Sequence, residues 1–194
     1  MAEPARQPWT TDAFFAWQQR QADRYELVGG LPLRLMAGAK NRHDDVVVNL
    51  LTTLRTRLRG GPCRPFSADG SIETRPGQIR RPDVGVDCGR RDPDAYKAAE
   101  PKLVAEVLSP STRDVDTIEK LGEYKALEAI RTILVIESNA PQIVVWSRTD
   151  SGWVRTIAEG LDDRIAVTDL GLELPLSEIF DGIDFPSGPH LKLA

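Results

Sequence analysis

The stretch RRPDVGVDCGRRDPDAYKAAEPKLVAEVLSPSTRDVDTIEKLGEYK, residues 80–125, decides the fold. It holds two short apolar runs, each carrying one acid that hydrophobic patterning does not explain. Asp83 follows Pro82 at the head of Val84-Gly85-Val86, and Glu106 interrupts the run from Leu103 to Leu108. A nearly continuous apolar run of this length is the pattern of a central strand covered on both faces. A carboxylate inside such a strand needs a partner, because an unpaired buried charge is costly. The segment that follows reads as a capped start, supplied by Ser109, Ser111 and Thr112, and then a helix over about 114–129. That helix brings Lys120 back toward the strand ends, where two carboxylates and a lysine can meet.

Upstream, residues 78–88 read as one strand with an irregularity at Pro82, and residues 64–73 as a strand with a bulge or a loop around Asp69-Gly70. Val46, Val47, Leu50, Leu51, Leu54 and Leu58 recur at the spacing of one buried helical stripe, and Gly60-Gly61-Pro62 ends that helix. Its first turn holds His43, in a position where a surface or capping role is the commoner one. Before it, Tyr25–Val28 and Leu31–Met36 flank Gly29-Gly30, a pair suited to the positive φ angles of a tight hairpin turn. Glu26 points opposite to Tyr25 and Leu27 on that hairpin. Taken alone, it is an edge-strand glutamate in water. A first helix, capped by Thr10 or Thr11, carries Phe14, Phe15 and Trp17.

Downstream, strands are expected at 132–137, 142–147, 153–158 and around 165–167, with 172–180 as closing structure. The order of strands and helices makes the chain a single α/β domain over residues 1–194, with a central mixed sheet flanked by helices. Its 194 residues are 41% hydrophobic and 28% charged, enough for one proper core. No apolar run reaches the roughly 20 residues that span a bilayer, and the opening residues lack a secretory pattern, so a cytoplasmic protein is expected. Cys63 and Cys88 are read as ordinary thiols.

The net charge of −4 argues against a polyanionic partner, yet residues 55–91 carry nine arginines against four acids, a local balance of +5. Such a cluster suits a phosphate backbone, and from charge alone a solvated surface is the commoner reading. There is no phosphate-binding GxxxxGK[ST] loop, no HExxH, no GxSxG and no CxxC, and two histidines cannot build a multi-histidine metal centre. Carboxylate chemistry remains. Oxygen ligands suit Mg2+ or Mn2+, which one or two protein carboxylates hold while phosphate and water complete the octahedron.

Pro82-Asp83 followed, after 22 residues, by Glu106-Val107-Leu108 resembles the motif of the PD-(D/E)XK nuclease superfamily. YELVGG at 25–30, a helix opening with His43, RPD at 81–83, VAEVLSPST at 104–112 and EKLGEY at 119–124 narrow the resemblance to the Uma family of restriction-endonuclease-like proteins, over about residues 8–180. The resemblance implies a restriction-endonuclease-like core and a site of Glu26, Asp83, Glu106 and a lysine. In the superfamily that lysine lies two residues after the glutamate, where this chain has Leu108; the family pattern implies Lys120 instead, with Lys125 as the second candidate. Asp83, Glu106 and the backbone carbonyl of Val107 would hold Mg2+ or Mn2+, and His43 and Arg81 are candidates for substrate contact. A metal-dependent DNA endonuclease follows from the resemblance, and cutting both strands would call for a homodimer. The alternative is a catalytically inactive nuclease fold that binds nucleic acid or assembles with partners. Lys120 also has a plain reading, as part of a salt-bridged helix surface with Glu119 and Glu123.

Overall fold

The computed structural model describes residues 8–35, 40–108 and 115–185, the side chains of 115–117 excepted. Helix α1 (Thr11–Gln18) starts at Thr10, whose hydroxyl accepts from the amide of Ala13 at 3.2 Å. Strands β1 (Tyr25–Val28) and β2 (Leu31–Arg34) form the hairpin, with Gly29 and Gly30 at φ of 58° and 77° as its primed turn requires. Helix α2 (Asn41–Arg57) buries Val46, Leu50 and Leu54, the stripe its spacing predicts.

The stretch 64–73 resolves into two strands, β3 (Arg64–Ser67) and β4 (Ile72–Arg75). Residues 78–88 are not one strand. They divide into β5 (Gln78–Arg80) and β6 (Val84–Asp87), which belong to different sheets. Pro82, with no N–H to give to a ladder, stands at the break. Beyond them come β7 (Pro101–Leu108), helix α3 (Val115–Ala126), β8 (Thr132–Glu137), β9 (Gln142–Thr149) and β10 (Gly152–Glu159). A small pair, β11 (Arg164–Val167) and β12 (Leu172–Pro175), and the short α4 (Leu176–Ile179) close the chain. Helix α3 ends three residues earlier than its sequence suggests, and its expected caps Ser109, Ser111 and Thr112 lie outside the described residues.

The main sheet runs β10-β9-β8-β7-β6-β3, and only β7 and β8 are parallel, with α3 as their crossover. The second sheet runs β2-β1-β5-β4. Alternation along β7 separates two cores. Leu103, Ala105 and Val107 meet Val46, Leu50 and Leu54 of α2, while Val104 meets Tyr124 of α3 together with Ile130 and Ile133. Glu106 lies on the α3 side by the same alternation. Under α1, Phe14 and Phe15 pack on Leu27 and Ile79 of the second sheet. Among the described residues no helix is long and apolar enough to cross a membrane.

Two details of the β3–β6 pair matter. Phe66 sits opposite Gly85, and a Cβ built on Gly85 would stand 2.1 Å from the Phe66 ring. Gly85→Ala is therefore expected to cost about 1–3 kcal/mol by overpacking, read as a lower urea midpoint; an unchanged midpoint would mean the ring can move aside freely. The same pair corrects the reading of the cysteines. Cys63 and Cys88, just outside the Arg64–Asp87 pairing, are joined as a disulfide across the strand ends. Twenty-five residues of sequence hid the proximity that the antiparallel register creates.

Candidate active site

The break at Pro82 places Asp83 one residue before β6 begins, beside the middle of β7. Pairing between β6 and β7 stops at Val84 and Ala105, so the amide of Val107 has no strand partner on that side. Asp83 Oδ2 accepts from it at 2.7 Å. In an extended strand a residue's N–H and C=O point the same way, so the Val107 carbonyl also faces the gap past the end of β6. His43, in the first turn of α2, closes this gap, with Nε2 3.4 Å from Asp83 Oδ2. Hydrogen bonding to Asp83 holds the imidazole above its usual range against the opposing pull of burial, and the backbone of Val107 adds to the shift.

Glu106 is only 13% exposed and, among the described residues, has two partners, both from α3. The Tyr124 hydroxyl donates to its Oε1 at 2.7 Å, and Lys120 Nζ stands 3.7 Å from the same oxygen. Burial pushes the Glu106 carboxyl up to about 8, the charges of Asp83 and Glu26 push the same way, and Lys120 and Tyr124 oppose them. Two neighbouring carboxyls, Asp83 half-buried and Glu106 deeper, each have one oxygen without a protein partner among the described residues, and they are a donor set that a small hard cation would satisfy. Among the described residues no three His, Cys, Asp or Glu side chains gather into a cage of their own. The residues present therefore fit Mg2+ or Mn2+, which take few protein carboxylates and complete their shell with carbonyl, water and phosphate oxygens.

Glu26 is not the exposed edge acid that the hairpin suggested. Strand β1 lies between β2 and β5, and the Glu26 side chain is 1% exposed. Its Oε2 accepts from Arg80 Nη1 at 3.0 Å and its Oε1 from the amide of Arg81 at 2.9 Å. Lys120 Nζ is 3.3 Å from Glu26 Oε1. The ammonium therefore stands between the acids of two sheets, Glu26 on one and Glu106 on the other.

The other candidates separate cleanly. Lys125 places Nζ over the Trp146 ring, 2.9 Å from its centroid, and among the described residues pairs with none of the three acids. Leu108, at the superfamily's lysine position, is 3% exposed and packs with Val135, Val144 and Trp146, surroundings with no place for an ammonium. Arg81, expected beside the substrate, is buried and commits its guanidinium to the carbonyls of Tyr25, Asp69 and Gly70. The arginine-rich stretch is neutralised only in part. Arg80 pairs with Glu26 and Glu123 inside the fold, Arg57 pairs with Glu178 and Arg64 with Asp87, while Arg55, Arg59, Arg75, Arg90 and Arg91 are exposed.

A family model described as "Putative restriction endonuclease", Uma2, matches residues 11–177. The chain belongs to the Uma2 family. A relative from Synechocystis sp. (strain ATCC 27184 / PCC 6803 / Kazusa), "Uncharacterized protein slr1290", is 29% identical over 176 residues, spanning 90% of this chain and 92% of the relative. Among solved structures, a crystal structure from Anabaena variabilis ATCC 29413, described as "a putative nuclease belonging to DUF820", superposes with a TM-score of 0.69 at 16% identity, covering 89% of this chain and 98% of that one. That likeness speaks for the fold. Family membership and the nuclease-like core expected from the PD and EVLSPST segments therefore stand for this Uma2 chain.

Three residues around the Uma2 site escape sequence reading: Arg80, Glu123 and Tyr124. Arg80 is fully buried, and only its place in an otherwise inward-facing strand hinted at that. Glu123 and Tyr124 lie three and four positions after Lys120, on the same helical face. That spacing is the available signal, and by itself it describes ordinary surface pairing and packing.

Proposed function

We propose that this Uma2 protein is a metal-dependent endonuclease that hydrolyses phosphodiester bonds in DNA. The observation that carries the reading is the Lys120 ammonium, 3.3 Å from Glu26 and 3.7 Å from Glu106. It restores an acid and lysine constellation whose usual strand position is filled by Leu108. Asp83, Glu106 and the Val107 carbonyl would hold Mg2+ or Mn2+. When bound, such a cation supplies Lewis acidity and a lowered water pKa.

The chain's own residues supply the rest. Tyr124 fixes one oxygen of Glu106, which leaves the other to face the site. Lys120 is placed to stabilise the negative charge that grows on the phosphoryl oxygens, a preorganised electrostatic effect. Glu26 holds that ammonium in place. His43, at the N-terminal turn of α2 and beside Asp83, is placed to meet a phosphate oxygen, since exposed helix amides and an imidazolium both favour an anion there. We give Arg81 no substrate contact. Cutting both strands of a duplex would bring two copies of the chain together, each with one site. A cytoplasmic location would give such an enzyme access to DNA.

The test is plasmid nicking with Mg2+ or Mn2+, alongside calorimetric metal titration of the wild type, Asp83→Ala and Glu106→Ala. Loss of both signals in both variants is expected. Lys120→Ala is expected to keep metal binding and to lose roughly 100-fold or more in rate. A wild type that binds no metal even with DNA present would overturn the catalytic reading in favour of a nuclease fold used for binding.

A further inference from the structure

A lysine side chain has a long flexible stem, and holding its ammonium at one point costs rotamer entropy. On a strand the neighbouring ladders fix the backbone that carries it. On a helix the docking of the whole helix must do so. Helix α3 presents Lys120, Glu123 and Tyr124 on one face, because residues three and four apart are neighbours there.

Glu123 has an unusually complete set of donors. Arg80 gives it Nε at 2.9 Å and Nη2 at 2.7 Å, Thr74 gives its hydroxyl at 2.8 Å, and Gln78 gives its side-chain amide. All three donors come from β4 and β5 of the second sheet. The Arg80 side chain is 1% exposed, and its remaining edge donates to Glu26, the acid that meets Lys120. The contacts close a ring. Lys120 reaches Glu26, Glu26 holds Arg80, Arg80 holds Glu123, and Glu123 returns to Lys120 through less than one turn of helix.

Burial is the largest single influence and works against both charges of the Arg80–Glu123 pair, and their hydrogen bonds to each other, to Glu26, Thr74 and Gln78, together with their mutual attraction, outweigh it. A bidentate guanidinium–carboxylate pair fixes direction as well as distance. It sets both the rotation of α3 and its height above β5.

We propose that Glu123 is a positioning residue for Lys120, clamping α3 to Arg80 so that the ammonium stands between Glu26 and Glu106. Its bearing on catalysis rests on the hydrolytic reading above, whereas its bearing on where Lys120 sits does not.

The experiment is brief acylation of the native protein with acetic anhydride, followed by mass spectrometry that compares Lys120 with the exposed Lys40. In Glu123→Gln, which loses the charge-assisted bonds, Lys120 should react roughly tenfold faster relative to Lys40 than in the wild type. Thr74→Val, which removes one neutral donor, should give a smaller rise and serves in place of Glu123→Gln if that variant fails to fold by circular dichroism. Arg64→Gln, which breaks an ion pair outside the ring, should leave Lys120 at its wild-type rate. Lys120 staying fully protected in a folded Glu123→Gln, or exposed equally by Arg64→Gln, overturns the proposal. On a DNA substrate, Glu123→Gln should lower kcat and leave KM within about twofold. A wild type inert toward DNA would sink the hydrolytic reading alone, because the acylation ratio still decides where Glu123 puts the lysine.

Discussion

Glu106→Gln is expected to abolish divalent-metal binding, to lower DNA hydrolysis by roughly 100-fold or more, and to make the metal-free protein more stable at pH 8. The three effects have one cause. The folded protein holds the Glu106 carboxyl up to about 8, far above its range in an unfolded chain. Between that lower range and about 8 the folded state keeps a proton that the unfolded state gives up. Stability therefore falls as pH rises through this window and levels off above it. An amide has no such proton to lose, so the variant should lack this part of the pH dependence. A cation bound by Glu106 must displace the proton, so wild-type affinity should tighten as pH rises toward 8. Thermal melts from pH 5 to 9, with and without Mn2+, read all of this. A Mn2+-induced rise in Tm that survives in Glu106→Gln would mean that the cation sits elsewhere.

Glu26→Ala is expected to be the most destabilising single change at the site, by about 3–5 kcal/mol in chemical denaturation. The lost carboxylate serves Arg80, the amide of Arg81 and Lys120 at once. Its removal takes one carboxylate from a guanidinium with no exposure, which also meets Glu119 and Glu123, and leaves a neighbouring backbone N–H without an acceptor. Glu26→Gln should cost less, because its carbonyl oxygen can still accept from Arg81. A loss below about 1 kcal/mol for Glu26→Ala would show that water reaches these groups and screens them.

The sequence pattern makes much of this architecture readable. Period-two alternation and the apolar run at 103–108 identify β7 and require a partner for Glu106, and the glycine pair at 29–30 identifies the hairpin. The two-sheet division is not readable, because one proline in residues 78–88 reads equally as an irregularity within a single strand, and alternation does not tell which sheet a strand joins. Glu26 was misjudged for the same reason. Its burial comes from β5 pairing alongside β1, a contact across about fifty residues. The disulfide likewise depends on the β3–β6 register. The resemblance to the family supplies the four site positions, and the fold brings Glu26, Glu106 and Lys120 together, with Asp83 reaching the same strand through the Val107 amide. What no pattern indicated is the Arg80–Glu123 clamp, since an arginine in a short strand and a glutamate on a helix are ordinary in isolation.

The packing of Leu108 bears on how this site could change. Restoring a lysine at that strand position in a Lys120→Ala background is not expected to rescue the protein, because the new amine would enter a layer formed by Val135, Val144 and Trp146. Making room would take several compensating replacements, each harmful until the others were present. On the proposed reading, the packing of Leu108 thus ties the lysine of this site to helix α3.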